Sequence, residues 1–504
     1  MGIFITHSPP MNKLLLFPIL TILFSAVLFS CVEDDDFTRS PQARIQFSSD
    51  TLDFGTVLCN VPSGMQQLSV YNRNSKAIRL PRISLRKGAS SSFKVNVDGA
   101  ILTGADVVDA EIGARDSMLV YAFSNPPAYD SDNLEPQSDT LIFITEGGQK
   151  QQVILRANAQ AVVTLMGHHV SQNEVLDATR PYHVMDSLVV DSGATLTVPA
   201  GAQLLFHAGA RLIVRGTLQV LGEKDRPVVM RGDRFDNMFT NQPYDRIPGQ
   251  WGGIVFASES YGNYVNFADI HSADFGIQVD SCDDTRETLF LENTVLHNFK
   301  GHGLSVRMAN VYVGNSQITN AGGDCVRVRG GNVTMVHCTI ARFYYFTGGS
   351  GVALDFSNYD GGVRLPLHSA QFANCIITGA QSDEIMGSSN PKQEKDAYEY
   401  AFFNCLINTT HPEKEDKRLV NCLWDEAEAD SVKRDGNFIP DFDLKTLEFN
   451  FDLSAKSRAV GHADRMITEQ TYPCDPQGRN RLAEGTLPDI GAYQHTENSD
   501  EELR

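Results

Sequence analysis

The chain has 504 residues, of which 42% are hydrophobic and 21 are proline. This composition indicates a folded protein of two or three domains and excludes a largely disordered chain. The 42 basic and 62 acidic side chains give a formal net charge of −20. A charge of that sign repels phosphate backbones, so we expect no nucleic acid among the partners.

The N-terminal segment has the pattern of a secretory signal. Met11-Asn12-Lys13 precedes the apolar run Leu14–Phe29, and Ser30 and Cys31 follow. A short basic start, an apolar stretch and a small residue before the cleavage point are typical of a signal peptide. The apolar run is short for a membrane span. We therefore predict a signal peptide over residues 1–30, with Met1 and Met11 both open as the translation start.

The end of this segment indicates lipidation. Leu28-Phe29-Ser30-Cys31 resembles the lipobox of bacterial lipoproteins. The resemblance implies that Cys31 becomes the acylated N-terminal residue and that its acyl chains bind outer-membrane lipid. The acidic cluster Val32–Asp36 resembles the surface-export signal of some Gram-negative lipoproteins, which implies that the anchored protein faces the cell exterior. We predict an acidic tether over residues 31–42, and the alternative for its acidic cluster is a solvated linker without an export role.

Residues 43–160 alternate apolar and polar side chains in short runs, such as Leu68-Ser69-Val70-Tyr71 and Phe93-Lys94-Val95-Asn96-Val97. Period-2 alternation over many short segments favours an antiparallel β-sandwich. Thr51–Val57 and Leu68–Asn72 resemble the opening of Ig-like modules of the choice-of-anchor D type. That resemblance implies a spacer or docking domain, and the segment contains no catalytic constellation.

Residues 161–410 have a different pattern, with short apolar segments separated by glycines. Examples are Leu188–Val190, Leu204–Phe206 and Leu212–Val214, with Gly193 and Gly209 among the separating residues. This order resembles the N-terminal coils of secreted right-handed parallel β-helix proteins.

A fixed spacing supports the same architecture without any family. Leu291, Val313 and Met335 follow one another at intervals of 22 residues, and Leu289, Val311 and Val333 do the same. Apolar residues in register at a constant period mark a β-solenoid, in which each coil adds a layer of roughly 4.8 Å. We therefore predict that like positions lie above one another in a common core.

The same register interprets the cysteines. Eight cysteines follow Cys31, without a CxxC pair or a metal-ligand spacing. Cys338, Cys375 and Cys405 share one column with Thr294 and Ser316, a column that requires small inward side chains. We predict buried free thiols there rather than disulfides or ligands. The asparagines preceding several of these cysteines predict a structural ladder at a bend; they are Asn374, Asn404 and Asn421.

After residue 410 the repeat fades. Asp475–Arg481 and Pro488–Tyr493 resemble the choice-of-anchor Q ending of secreted β-helix proteins. Since a solenoid must cover its last coil, we predict a C-terminal coil and cap over 411–495 and a polar tail over 496–504. The predicted fold is all-β: an N-terminal Ig-like β-sandwich, then a right-handed parallel β-helix with a C-terminal cap.

Parallel β-helices host many polysaccharide lyases and glycoside hydrolases, so we tested each polar cluster for catalysis. Gly301-His302-Gly303 resembles a segment of polygalacturonase-like hydrolases, but the aspartate expected after Asn293-Thr294 is replaced by Val295. Inverting hydrolysis needs two carboxylates across the scissile bond, and Asp324 alone does not provide them. If the chain is an enzyme, its candidate catalytic residues are His302, Asp324, Arg307 and Arg329.

Charged side chains also form outward columns in the predicted register. Asp280, Arg307, Arg329 and Asp355 fall in one column, and Arg327 falls in the neighbouring column with Ala353. These charges could bind an acidic sugar through bidentate guanidinium contacts, or could simply neutralise one another on a solvated face. We predict no metal site, although calcium would accompany lyase chemistry because lyases of this fold pair calcium-binding carboxylates with a basic residue.

An inserted loop, Arg231–Arg246, offers a second candidate binding surface. Its aromatic residues Phe235, Phe239 and Tyr244 could stack on sugars, since loops carry function on such scaffolds. The alternative is a loop that only covers its coil.

The broken catalytic patterns favour binding over catalysis. We therefore expect a cell-surface lipoprotein whose β-helix binds carbohydrate or a surface protein without turnover. The alternative function is a divergent polysaccharide lyase or glycoside hydrolase that acts on an acidic glycan.

Overall fold

The computed structural model describes residues 37–102, 108–239, 241–346, 349–392, 395–425, 435–439, 442–443 and 446–496. The predicted signal peptide, the lipidation site Cys31 and the tail from residue 497 lie outside these ranges. The chain forms two compact units. The second contains the residues from Ala157 onward together with Phe54–Gly64 and Ser124–Gln137, and the first contains the rest.

Two five-stranded sheets form before residue 161, with the orders β1-β3-β8-β5-β6 and β2-β10-β9-β4-β7. The pairings of β1 with β3, β3 with β8 and β4 with β9 are antiparallel. Alternate residues of β3 and β10, such as Leu68, Val70 and Leu155, are buried. The period-2 pattern therefore arises, as predicted, from strands with one buried face. The strands are β1 Ile45–Phe47, β2 Thr51–Leu58, β3 Gln66–Asn72, β4 Ile78–Leu85, β5 Phe93–Val97, β6 Ala100–Leu102, β7 Val108–Ile112, β8 Ser117–Ser124, β9 Glu135–Ile144 and β10 Lys150–Gln160.

Two long sheets form the parallel β-helix that the sequence predicts. An 11-stranded sheet, called sheet A here, takes one strand from each successive coil. Its strands are β11 Val163–Leu165, β14 Tyr182–Val184, β17 Gln203–Phe206, β20 Val228–Gly232, β25 Ala268–His271, β28 Val295–Phe299, β30 Gln317–Ala321, β32 Thr339–Arg342, β37 Ile376–Gly379, β40 Leu406–Ile407 and β42 Leu423–Trp424.

A 17-stranded sheet, called sheet B, provides the remaining walls of the coils. Its strands are β12 His168–Val170, β13 Glu174–Val175, β15 Ser187–Val190, β16 Thr195–Pro199, β18 Arg211–Val214, β19 Thr217–Leu221, β23 Gly253–Phe256, β24 Asn263–Asn266, β26 Ile277–Val279, β27 Glu287–Glu292, β29 Leu304–Gly314, β31 Val326–Val336, β33 Leu354–Ser357, β36 Leu367–Ala373, β38 Ile385–Ser388, β39 Tyr398–Phe403 and β41 Leu419–Val420.

Short elements complete the described chain. Three two-stranded hairpins are β21 Asn237–Phe239 with β22 Gln242–Pro243, β34 Tyr359–Asp360 with β35 Val363–Arg364, and β43 Phe442–Asp443 with β44 Glu448–Phe449. The helical segments are the 3₁₀ turns Gly88–Ser90, Tyr244–Arg246 and Asp435–Asn437 and the α-helix α1, Arg465–Gln470. Within the described ranges, no helix is long and apolar enough to cross a membrane.

The coil-to-coil register confirms the predicted stacking. Leu291 pairs with Val313, and Val313 pairs with Met335, in parallel strands of sheet B. Phe372 and Phe402 continue this column, and their rings stack with centroids 4.8 Å apart. All five side chains are buried in one apolar core. The next two coils are longer than 22 residues and the last coil is shorter, but the register returns at each strand because backbone hydrogen bonds hold the strands in place.

The column of small residues is also confirmed. The amides of successive strands donate across it, from Gln317 to Thr294 and from Thr339 to Ser316. Cys338, Cys375 and Cys405 are fully buried in the same column, and the cysteines of the described chain form no disulfide.

The residue before each small side chain adopts a left-handed conformation, with φ near 50° at Asn293, Asn315, Asn374, Asn404 and Asn421. Asparagine tolerates this region better than most residues. The Asn315 amide donates to the Asn293 side-chain oxygen at 2.7 Å. The asparagine ladder is therefore structural, as expected.

The C-terminal segment lies elsewhere than expected. Instead of covering only the last coil, it packs along the outer side of sheet A. The Tyr493 hydroxyl donates to Gln317 at 2.7 Å, and the buried Arg481 guanidinium donates to Asn315 at 2.8 Å. Phe438 and Phe451 pack in one cluster with residues of three coils, Ala341, Ile376 and Leu406. The outward residues of these coils are apolar enough to need cover of their own.

The cysteine column predicts selective thiol protection. Burial raises the pKa of the Cys375 and Cys405 thiols well above its ordinary value, so these groups lack both access and thiolate character. Brief iodoacetamide treatment of the folded protein should label the exposed Cys474 and leave Cys375 and Cys405 unlabelled, as measured by peptide mass spectrometry. The same reaction in denaturant is the control and should label all three. Equal labelling of the three thiols in the folded protein would contradict the fold.

Candidate functional site

The predicted polar residues of the helix converge on the outer face of sheet B. His302 and Asp324 lie just before β29 and β31, whereas Arg307 and Arg329 pair within those strands. The hairpin β34–β35 brings a further carboxylate, Asp360, to the same place. We call Arg307, Arg327 and Asp360, together with His302 and Asp280, the arginine face.

The predicted columns need one correction. Asp355 pairs with Arg327, and Arg329 pairs with Ser357, so Asp355 does not continue the Asp280–Arg307–Arg329 column and Ala353 does not lie beside Arg327. The coil between β31 and β33 is longer than the predicted register assumed. An insertion in a turn shifts the numbering of the next strand without disturbing its pairing.

Burial separates the three arginines into two kinds. Arg329 forms an ion pair with Asp355, and their side chains are only 12% and 10% exposed. The Arg307 and Arg327 guanidinium groups each lie 3.8 Å from the Asp360 carboxylate, and these three side chains are 38%, 31% and 41% exposed. The Arg329–Asp355 ion pair is therefore part of the folded structure. Arg307 and Arg327 instead share one partly exposed carboxylate at a longer distance.

His302 joins the arginine face through both ring nitrogens. Its Nδ1 lies 3.2 Å from Asp324 Oδ2, and its Nε2 lies 3.0 Å from the Arg327 guanidinium. The backbone N–H of Asp324 also donates to Nδ1, at 2.9 Å, so both ring nitrogens are occupied by protein groups. The histidine thus orients Arg327 and has no free nitrogen for a substrate.

Asp324 is equally occupied. Its Oδ1 accepts a hydrogen bond from the Val352 amide at 3.1 Å. Burial raises the pKa of Asp324, but hydrogen bonds from His302 and Val352 outweigh it and lower the pKa below its ordinary value. A general acid for glycoside cleavage needs a raised pKa, so this carboxylate is poorly suited to that role.

Asp280, the remaining predicted binding residue, lies beside Arg307. Burial raises the pKa of Asp280, and the charge of Arg307 offsets this only in part.

The aromatic loop lies away from the arginine face, because it follows β20 of sheet A. The Arg231 guanidinium lies over the Phe235 ring at 4.5 Å, and that of Arg234 lies over Tyr244 at 3.4 Å. Arg231 also pairs with Asp245 at 2.9 Å. Only Phe239, 66% exposed, presents an open ring. The structure therefore favours the alternative, a loop that covers its coil.

Two histidine–aspartate clusters on sheet A were missed by the sequence analysis. One contains Asp269, His271 and His297, and the other His183, His207 and Asp233. His271 and His297 are register partners on neighbouring coils. The spacing of these two residues was a possible signal, but it is 26 rather than 22 residues.

The first cluster borders a cavity of about 560 Å³. Asp269 and His297 form part of its wall, and the segment Leu447–Asp452 closes it from the other side. Burial raises the pKa of Asp269, but the charges of and hydrogen bonds from His271 and His297 lower it well below its ordinary value. The wall therefore carries a carboxylate rather than a carboxylic acid.

Comparison with known proteins supports the helix. A family model for a pectate-lyase like beta helix domain matches residues 167–285. No curated protein matches the chain. Among solved structures, an ASH / PapD-like domain of human CEP192 (PapD-like domain 7) is similar at 9% identity with a TM-score of 0.17, over 24% of this chain and 89% of that one.

The difference between the arginines predicts unequal effects on stability. Asp355→Asn leaves the buried Arg329 without a counter-charge and should lower the free energy of unfolding by about 3 kcal/mol. Asp360→Asn, the matched control, removes an exposed partner and should cost less than about 1 kcal/mol. Urea unfolding followed by circular dichroism measures both changes. Equal effects of the two substitutions would show that the two ion pairs do not differ in this way.

Proposed function

We propose that the β-helix binds an acidic polysaccharide on its arginine face. The observation that carries this proposal is that Arg307 and Arg327, on neighbouring coils, share the single carboxylate of Asp360 at 3.8 Å. A guanidinium group prefers bidentate hydrogen bonds to a carboxylate. A uronate carboxylate that displaces Asp360 would make such bonds, and the released Asp360 would be solvated.

The partial exposure of the two arginines supports the same proposal. The Nε atom of Arg327 is buried and has no hydrogen-bond partner among the described residues, so a ligand would bind the terminal nitrogens of this side chain, which is 31% exposed. Arg307 has a hydroxyl partner, Ser281 Oγ, at 3.2 Å, and keeps donors that face solvent. The name of the matching family, which mentions pectate lyase, agrees with an acidic polymer as the ligand.

Binding without turnover is the simpler form of the proposal. The polar atoms of His302 and Asp324 contact one another, Arg327 and the backbone, so none is left for a substrate. A divergent lyase or hydrolase acting on the same polymer is the alternative, and calcium would then bridge the ligand to carboxylates such as Asp280.

The location of the protein is part of the proposal. We propose that acylated Cys31 anchors the chain in the outer membrane, facing the cell exterior, and that the N-terminal sandwich acts as an Ig-like spacer. In such an arrangement, polysaccharide outside the cell or another surface protein is within reach.

The first test is binding of polygalacturonate, used as an acidic probe, with neutral amylose as the comparison polymer. Arg307→Ala and Arg327→Ala should each weaken polygalacturonate binding roughly 10-fold or more, because each removes charge-assisted hydrogen bonds worth about 1.5–3 kcal/mol. Isothermal titration calorimetry measures the affinity, which should fall as salt is raised.

Arg226→Ala is the matched control, since Arg226 is an exposed arginine paired with Glu223 elsewhere on the helix; its binding should be unchanged. An equal loss in all three variants, or equal binding of amylose, would contradict the proposal. Release of unsaturated or reducing ends by the wild type, abolished in Asp324→Ala, would support the enzymatic alternative instead.

The anchor has its own test. Cys31→Ser removes the thiol that would be acylated, so the protein should move from the membrane fraction to the soluble fraction and should lose incorporation of labelled fatty acid. Cys474→Ser is the control and should remain in the membrane fraction. Membrane association that persists in Cys31→Ser would rule out this anchor.

A further inference from the structure

We infer that Asp269, His271 and His297 form a site for a divalent transition-metal ion of the zinc class, with an open coordination position toward the cavity of sheet A. This site lies on the other sheet from the arginine face and does not depend on the function proposed for that face.

The three side chains converge on one point. Asp269 Oδ1 lies 2.9 Å from His271 Nδ1 and 3.1 Å from His297 Nε2. One potential ligand atom from each residue lies within 4.8 Å of the other two. Two imidazole nitrogens and one carboxylate oxygen are a donor set that suits zinc and its neighbours and suits calcium or magnesium poorly.

The coil register builds this arrangement. His271 and His297 are paired on β25 and β28, and their rings stack with centroids 4.7 Å apart. Asp269 lies two residues before His271 on the same strand, and residues two apart point to the same side of a sheet. Ligands placed on adjacent rigid strands are held in position before the ion arrives.

A purely structural hydrogen-bonded cluster accounts for this geometry less completely. One oxygen of Asp269 faces a ring nitrogen of His271 and a ring nitrogen of His297. A cation bound between these three atoms would replace the protons of the two hydrogen bonds. His271 is only 5% exposed, and its Nε2 has no hydrogen-bond partner among the described residues, but the same holds for Nδ1 of the buried His183 in the second cluster. The feature that separates the two clusters is the cavity beside Asp269 and His297.

The cavity supplies the open position. Three protein ligands with a free fourth site distinguish catalytic zinc centres from closed structural ones. Asp269 and His297 line the cavity, and so do Arg246, Lys224 and Asn320. The Asn320 side-chain oxygen is buried and unpaired among the described residues. The two cationic side chains would attract a small ligand with anionic oxygen atoms, and the Asn320 oxygen would accept a hydrogen bond from that ligand.

The second histidine–aspartate cluster provides an internal comparison. Asp233 Oδ2 lies 2.9 Å from His183 Nε2 and 2.7 Å from His207 Nδ1. None of these three residues lines the cavity, and Asp233 lies at the start of the inserted loop. We assign this cluster to holding the loop against its coil, so only one metal ion is expected per chain.

The test is a titration of the chelator-stripped full chain with Co²⁺, followed by Zn²⁺. The wild type should bind one equivalent of Co²⁺ with a visible absorption band that Zn²⁺ abolishes, and added imidazole should shift that band by entering the open position. His297→Ala and Asp269→Asn should each weaken binding by at least the ~100-fold that a lost outer-shell partner can cost.

His207→Ala is the matched control and should keep the band and its affinity. Asp269→Asn preserves the side-chain volume and is decisive if His297→Ala does not fold, as judged by circular dichroism. The inference is overturned if the wild type gives no band, if Asp269→Asn binds Co²⁺ as well as the wild type, or if His207→Ala loses the band to the same extent.

Discussion

Backbone hydrogen bonding between successive coils is the constraint on which the rest of the molecule depends. In parallel strands each residue faces the equivalent residue of the next coil, as Val313 faces Met335 and Leu296 faces Ile318. A slip of one residue would turn every core side chain outward. The register therefore decides which side chains are buried and which outward side chains become neighbours, whatever their distance along the chain.

Coils of unequal length are compatible with this constraint because the turns absorb the difference. The insertions pack against the β-helix. The loop after β20 and the C-terminal segment both lie against sheet A, where the Arg231 side chain is 12% exposed and Arg481 is fully buried. Their cover leaves a partly open cavity on sheet A, lined by both apolar and charged side chains. On sheet B the hairpin β34–β35 reaches the arginine face but leaves its guanidinium groups partly exposed. One scaffold thus offers two chemically different surfaces.

The sequence predicted whatever repeats and missed whatever does not. The 22-residue columns, the buried cysteines and the asparagine ladder follow from periodicity alone, so they were correct. The pairing of Asp355 was wrong because an insertion of unknown length precedes it. The Asp269–His271–His297 cluster was missed because its coil has 26 residues rather than 22, and its cavity is completed by Leu447–Asp452, far along the chain. Periodicity carries no information about such distant cover.

Burial decides which arginine is available to a ligand. Arg329 and Asp355 are both desolvated, so removing either partner leaves the other as an unpaired charge inside the protein. A ligand carboxylate therefore cannot replace Asp355 without that cost. Asp360 is different, because it is partly exposed and lies 3.8 Å from each guanidinium. Its release restores hydration and costs little. Because the net charge of −20 repels an anionic polymer at long range, recognition must depend on this short-range exchange at Arg307 and Arg327.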